Sequence, residues 1–90
     1  AGVNVLTASL AHELGPEIRC NAVASGAVPT EIFFEVMKLK PEDLPTYAKE
    51  TGIPLQRLGT PQDIAGAVLF LCSEASAWMT GEIITVSGGR

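Results

Sequence analysis

The stretch "NAVASGAVPTEIF", residues 21–33, decides which fold this 90-residue sequence indicates. Its apolar run at 22–24 stops at Ser25-Gly26, and Pro29-Thr30 then starts a helical pattern. A strand that ends in a short glycine loop and leads into a helix is a common ligand cradle in α/β proteins, because the start of the helix offers free N–H donors. The stretch therefore predicts an α/β fold with a binding loop at the carboxyl end of a strand.

The residues on either side of this stretch continue the alternation of helices and strands. Before it, an amphipathic helix is indicated by apolar residues that recur every three or four positions, at Val3, Leu6, Leu10 and Leu14. Gly15-Pro16 ends that helix, and the largely apolar "IRCNAVA", residues 18–24, predicts a strand with both faces covered. After the stretch, residues 30–39 and 43–50 predict two short helices.

The strongest local signature is "TPQDIAGAVLFLCS", residues 60–73. Thr60 suits the N-cap, Pro61 the first helical position, and Asp63 completes a capping-box pattern. Residues 64–72 are apolar almost all round, so we expect this helix to be buried on more than one side.

A last strand is predicted at residues 82–86. With the strand at 18–24 it makes a βαβ crossover, which implies two parallel strands. Two strands that are apolar on both faces do not make a finished sheet, so we expect further strands outside these residues. The sequence also opens without Met and without a helix cap, and we expect it to be a piece of a longer protein.

Composition excludes several classes of function. The 47% hydrophobic and 18% charged residues are typical of a globular domain, and the net charge of −4 argues against a nucleic-acid partner. No run approaches the roughly 20 apolar residues of a membrane span, so no membrane partner is expected. Cys20 and Cys72 stand outside any CxxC motif, and we predict two buried, reduced thiols and a cytoplasmic protein.

Four segments together resemble the short-chain dehydrogenase/reductase family. They are the helix and strand at 1–26, the loop "SGAVPTE" at 25–31, "RLGTPQDIAGAVLFLCSEASAWMTGE" at 57–82, and "ITVSGG" at 84–89. Each motif is weak alone, but their order and spacing are specific. The resemblance implies a Rossmann-type, doubly wound parallel sheet, of which this chain supplies the last two strands and their helices.

The resemblance also implies what this segment lacks. In the family, the glycine-rich nucleotide-binding turn, the catalytic Ser and the Tyr-x-x-x-Lys motif precede these residues, so residues 1–90 are expected to be the C-terminal part of one domain and to hold no catalytic residue. Ser25 stands where the family usually has Pro, and Ser87 replaces the usual Asp. Neither departure removes a group that hydride transfer needs.

By resemblance, the loop at 25–30 holds the nicotinamide end of NAD or NADP. The residues concerned are Ser25, Gly26, Ala27, Val28 and Thr30. The backbone of Val28 is expected to pair with the carboxamide, and the Thr30 hydroxyl to reach the carboxamide or the pyrophosphate. The alternative for Thr30 is that it only caps the helix that follows, and the two roles are compatible.

Phe33, Phe34 and Met37 follow in the segment that forms a substrate lid in the family. They predict an apolar wall for a bulky alcohol or ketone, such as a steroid or an acyl chain. The alternative is ordinary packing of a short helix. For Trp78, packing is favoured over a place at the substrate site or an interface.

The leading hypothesis is therefore an NAD(P)-dependent oxidoreductase that interconverts an alcohol and a ketone. The resemblance implies a homotetramer or homodimer, with the first helix in one interface and the 61–72 helix and last strand in another. Two alternatives remain: a catalytically inactive scaffold of the same fold, and a self-standing interaction module.

Overall fold

The computed structural model describes residues 2–90, which form four α-helices and a two-stranded sheet. The elements in chain order are α1 (Gly2–Leu14), β1 (Ala22–Ser25), α2 (Glu31–Met37), α3 (Leu44–Glu50), α4 (Pro61–Leu71) and β2 (Ile83–Val86). Short 3₁₀ turns lie at Pro41–Asp43 and Glu74–Ser76. The predicted order of helices and strands is confirmed.

The two strands pair in parallel, as the βαβ pattern predicts. Ala22 lies opposite Ile83, and Ser25 lies opposite Val86. The pairing extends one residue beyond β1, because the Gly26 N–H donates to the Val86 carbonyl at 2.9 Å. Both strands thus end at the same edge, and the loop predicted to bind a ligand begins there.

β1 begins four residues later than the sequence predicts, because residues 19–21 form hydrogen bonds to the turn before β2 instead of to a strand. The Cys20 N–H donates to Thr80 Oγ1 at 3.0 Å, and the Cys20 carbonyl accepts from the Gly81 N–H at 2.7 Å. The Asn21 side chain donates to the Met79 carbonyl at 3.1 Å. These bonds leave the ladder to begin at Ala22.

Arg19 joins this turn to the end of α4. Its Nη2 donates to the Leu71 carbonyl at 2.9 Å, and its Nη1 to the carbonyls of Ser76 at 2.9 Å and Met79 at 3.1 Å. Nη1 also lies 3.2 Å from the hydroxyl of Ser76, a residue that is almost fully buried. A cation at the end of a helix satisfies carbonyls that have no intrahelical partner, so Arg19 fixes the amino ends of the strands to α4.

The small core lies between the two short helices and the connector that follows them. Ala48, Ile53 and Leu58 are buried, and Phe33, Leu44 and Tyr47 pack against them. This core attaches α2 and α3 to the segment that leads into α4.

The prediction that the 64–72 helix is buried is wrong for the residues described. No residue of α4 is buried within residues 2–90, and Leu69 is 70% exposed. Cys72 is exposed, Cys20 is half-buried and both are free thiols, while Trp78 is fully exposed rather than packed. The physical reason is that a sheet of two strands covers only a small part of this helix.

Candidate functional site

The loop at 25–30 lies at the carboxyl ends of both strands, as the sequence predicts. It leaves β1 beside the exit of β2 and enters α2. Gly26 is packed directly on Ser87: a Cβ at Gly26 would lie 2.8 Å from the Ser87 Cα. Only glycine fits there without backbone movement, so a neighbour within the chain accounts for this residue.

A second glycine holds the loop from the other side. The Gly59 N–H donates to the Ala27 carbonyl at 2.9 Å. A Cβ at Gly59 would lie 3.1 Å from Val28 Cγ2, so the two segments are in close contact. The connector before α4 therefore fixes the middle of the loop.

Val28 keeps its backbone polar groups available. Within residues 2–90, neither its N–H nor its carbonyl makes a hydrogen bond. Val28 is half-buried as a residue, and backbone groups that are shielded from water are normally paired. Val28 thus offers one backbone donor and one backbone acceptor that no other described residue uses.

Thr30 caps α2, as the simpler interpretation predicts. Its Oγ1 accepts from the Phe33 N–H at 3.2 Å, and its carbonyl accepts from the Phe34 N–H at 3.1 Å. The Thr30 side chain is exposed, and its hydroxyl proton is not used by the cap. The cap therefore does not use up the hydroxyl, and the predicted contact with a cofactor stays a prediction.

The capping box predicted for α4 is confirmed, and Arg57 adds to it. Thr60 Oγ1 accepts from the Asp63 N–H at 3.2 Å, while Asp63 Oδ2 accepts from the Thr60 N–H at 2.8 Å. Arg57 binds the same carboxylate with both ends of its guanidinium, at 2.8 and 3.1 Å. These bonds from Arg57, and then those from Thr60, hold the pKa of Asp63 well below its usual range. The pair likewise raises the pKa of Arg57.

A cavity of about 210 Å³ lies between the loop and the start of α4. Gly26, Ala27 and Val28 line one side of it, and Arg57, Gly59 and Asp63 line another. The sequence motifs included Arg57 and Asp63 but assigned no role to the pair. The spacing of an Arg six residues before the capping-box Asp is the pattern that could have indicated the ion pair.

The three predicted lid residues lie apart from this cavity. Phe33 is edge-on to Phe34, with ring centroids 5.8 Å apart, and edge-on to Tyr47 at 5.7 Å. Phe33 also packs against the small core, whereas Met37 is 44% exposed. Core packing thus accounts for Phe33 in part. The contribution of Tyr47 was missed, because its partner on α2 is distant in sequence.

Two kinds of site find no support in the part of the chain that the structure describes. None of its helices combines the length and apolar character that crossing a membrane requires. No group of three or more His, Cys, Asp or Glu side chains is arranged to hold a metal ion, again within residues 2–90.

A parallel βαβ unit with a glycine loop at the carboxyl ends of its strands defines a Rossmann-type α/β protein. Comparison with known proteins agrees with this class. The family model for enoyl-(acyl carrier protein) reductase matches residues 1–90. The chain is 46% identical over 90 residues to an uncharacterized oxidoreductase of Mycobacterium tuberculosis and 44% identical to the 7α-hydroxysteroid dehydrogenase of Escherichia coli, covering 99% of this chain in both cases.

Comparison with solved structures supports the same class of protein. An NADPH-bound short-chain oxidoreductase from Pseudomonas aeruginosa, with an atypical catalytic center, superposes with a TM-score of 0.89 at 38% identity over 98% of this chain and 35% of its own. A 7α-hydroxysteroid dehydrogenase complexed with NADH and 7-oxo glycochenodeoxycholic acid gives 0.79 at 43% identity, over 98% of this chain and 33% of its own. The chain belongs to the short-chain dehydrogenase/reductase family, as the sequence motifs predict. It spans about a third of the length of the curated relatives it matches, at 35% and 34%.

Proposed function

We propose that the protein carrying residues 1–90 is an NAD(P)-dependent oxidoreductase that interconverts an alcohol and a ketone. The observation that carries the proposal is the peptide backbone of Val28, whose N–H and carbonyl lack partners within residues 2–90. A nicotinamide carboxamide has one carbonyl acceptor and an NH₂ donor, so it complements that pair. Relatives named as a hydroxysteroid dehydrogenase and a 3-oxoacyl-[acyl-carrier-protein] reductase support the reaction class.

In this proposal the residues of the segment bind and orient the cofactor. Ser25, Gly26 and Ala27 shape the loop, Val28 pairs with the carboxamide, and Thr30 offers its hydroxyl. The nicotinamide, when bound, supplies hydride transfer. The cofactor is NAD or NADP, because neighbouring structures hold NADH in one case and NADPH in another.

The proton transfer of the family lies outside these residues. The only tyrosine here, Tyr47, is followed four positions later by Thr51, so it does not form the Tyr-x-x-x-Lys motif. We propose that residues 1–90 are the C-terminal part of one Rossmann-fold domain whose remaining part supplies the catalytic Tyr and Lys. The exposed apolar side chains of α4 support this arrangement.

For the substrate, we propose a bulky apolar alcohol or ketone, hydroxysteroid-like or 3-oxoacyl-like. Phe33, Phe34 and Met37 form the apolar side of its site in this proposal. Phe34 and Met37 are the stronger candidates, since part of Phe33 is used by the core. The hydroxysteroid dehydrogenase relative and its complex with a 7-oxo bile acid support this class of substrate.

We also propose a homotetramer or homodimer in the cytoplasm, without a nucleic-acid or membrane partner. The exposed residues Val5 and Leu6 on α1, and Leu69 on α4, offer two apolar surfaces for subunit contacts.

The test is an assay of the complete protein. Oxidation of NADH and of NADPH is followed with a 7-oxo bile acid, a 3-oxoacyl thioester and a small ketone such as acetone. We expect turnover with one cofactor and with the bulky ketones, and little with the small one. A protein that assembles into oligomers but neither binds nor oxidises either cofactor would be a scaffold, and the proposed function would be rejected.

A further inference from the structure

The Arg57 guanidinium forms hydrogen bonds to three oxygen atoms, although the side chain is 56% exposed. Nη1 and Nη2 grip the two oxygens of Asp63, and Nη1 also donates to the Leu58 carbonyl at 3.2 Å. A bidentate carboxylate contact sets the plane of the guanidinium, unlike a contact between point charges. Arg57 is therefore held in one orientation against its own backbone.

This grip encloses the peptide segment 58–60. Arg57 holds the segment at the Leu58 carbonyl, and Asp63 holds it at the Thr60 N–H. Gly59 lies between these two points and has little freedom to rotate. We call Arg57, Asp63 and the backbone of 58–60 the clamp.

Within residues 2–90, the clamp reaches the binding loop through a single hydrogen bond. The Gly59 N–H donates to the Ala27 carbonyl at 2.9 Å. That carbonyl and the Val28 N–H belong to the same peptide unit, which is planar and trans, so the two groups point in opposite directions. Fixing the carbonyl on Gly59 therefore also fixes where the Val28 N–H points.

We propose that Arg57 is a positioning residue for the nicotinamide end of the cofactor. It acts through Asp63 and Gly59 on the peptide between Ala27 and Val28. The inference rests on the proposed function, because it takes the Val28 backbone as the partner of the carboxamide. A surface ion pair that only caps α4 would affect stability slightly and would have no reason to affect the ring end of the cofactor alone.

The experiment compares cofactors with and without the nicotinamide in the complete protein. Dissociation constants for NADH, NADPH, ADP-ribose and 2′-phospho-ADP-ribose are measured by titration calorimetry for the wild type and for Arg57→Gln. We expect the affinity for the preferred dinucleotide to fall about tenfold, the order of one misdirected hydrogen bond. The affinity for the matching ADP-ribose compound should change less than twofold.

Two further variants separate positioning from general damage. Ser76→Ala removes the hydroxyl bonds to the Leu71 and Ser73 carbonyls near the far end of α4, so it should lower the melting temperature without changing either affinity. Arg57→Lys keeps the charge without the two-pronged grip and should recover only part of the dinucleotide affinity. If Arg57→Gln does not fold, Asp63→Asn tests the same grip from its other side.

The outcomes are distinct. Equal losses for the dinucleotide and for its ADP-ribose counterpart, or no loss for either, overturn the positioning role while the proposed function stands. A wild-type protein that binds none of the four compounds overturns the proposed function, and the inference fails with it.

Discussion

The amino and carboxyl ends of the two strands are held by different kinds of contact. At the amino end, the Arg19 guanidinium donates to three carbonyls and also to the hydroxyl of Ser76, which is almost fully buried. At the carboxyl end, backbone lies directly on backbone, with Gly26 against Ser87 and Gly59 bonded to Ala27.

Because of this difference, we expect the amino end to contribute mainly to stability and the carboxyl end mainly to ligand binding. The amino end uses its polar groups on one another, and in the described residues no buried side-chain atom there is left unpaired. The carboxyl end is shaped just as tightly, yet it leaves the donor and acceptor of Val28 unpaired within residues 2–90. A loop that is rigid and still has unpaired groups is well suited to bind a ligand. Changes at the two ends should therefore have different effects on unfolding and on cofactor affinity.

The largest effect is expected from Gly26→Ala. The new Cβ would lie 2.8 Å from the Ser87 Cα, a backbone atom that cannot move aside, so the two strand exits must separate. We expect the free energy of unfolding of the complete protein to fall by about 3 kcal/mol, as for other overpacked sites. Cofactor affinity should fall as well, because the loop begins at this residue.

Gly66→Ala is the matched control for that change. An added Cβ at Gly66 meets no atom within 4 Å in the described residues, so this variant adds the same methyl group without separating the strand exits. Urea denaturation of both variants provides the measurement. A loss below 1 kcal/mol for Gly26→Ala would show that the strand exits can separate easily, contrary to the comparison of the two ends.

A smaller effect is expected from Arg19→Met, at the opposite end. Each carbonyl bound by Arg19 keeps a second donor, for example the Asn21 amide at Met79, so none is left without a partner. The loss is that of the charged hydrogen bonds themselves, about 2 kcal/mol in the free energy of unfolding. Cofactor affinity of the folded variant should stay within twofold of the wild type.

Arg19→Lys is the control for charge, since it keeps the cation but cannot reach several carbonyls at once. It should recover part of the lost stability. A clear drop in cofactor affinity for Arg19→Met, measured by titration at a temperature where the variant is folded, would contradict the assignment of this end to stability alone.

The smallest effect is a pH dependence at the clamp. Arg57 and then Thr60 lower the pKa of Asp63 in the folded protein, relative to about 3.9 in an unfolded chain. The stabilisation is therefore fully present above about pH 4 and decreases as the pH falls below that value. The difference in melting temperature between wild type and Asp63→Asn should be small at pH 7, since the pair is exposed, and smaller still at pH 3. A difference that does not change with pH would show that the ionised form is not the one stabilised.

Local patterns predicted the elements whose causes are local. The α4 capping box could be predicted from the sequence, because Thr60 and Asp63 are three residues apart and bind each other. The start of β1 could not be predicted in this way, because the turn that displaces it lies some 60 residues further along the chain. The exposure of α4 was missed for another reason: its apolar sequence predicts burial, but a sheet of two strands covers only a small part of the helix in the described residues.

The candidate site shows the same division. The position of the loop followed from the order of elements, and the Thr30 cap followed from its residue type. The resemblance already implied a ligand-binding backbone at Val28, but the bond from the Gly59 N–H to the Ala27 carbonyl could not be predicted, because it joins segments some 30 residues apart. The clamp was present as a motif in the sequence, but its connection to Ala27 is visible only in three dimensions.

The full exposure of Trp78 gives this segment a reporter of its own. It is the only tryptophan in the 90 residues, and its indole contacts so little of the chain that its emission should resemble that of indole in water. Any chain segment or partner that comes to cover Trp78 will shift that emission to shorter wavelength. The natural sequence can therefore report by fluorescence, without an attached dye, whether this residue becomes covered.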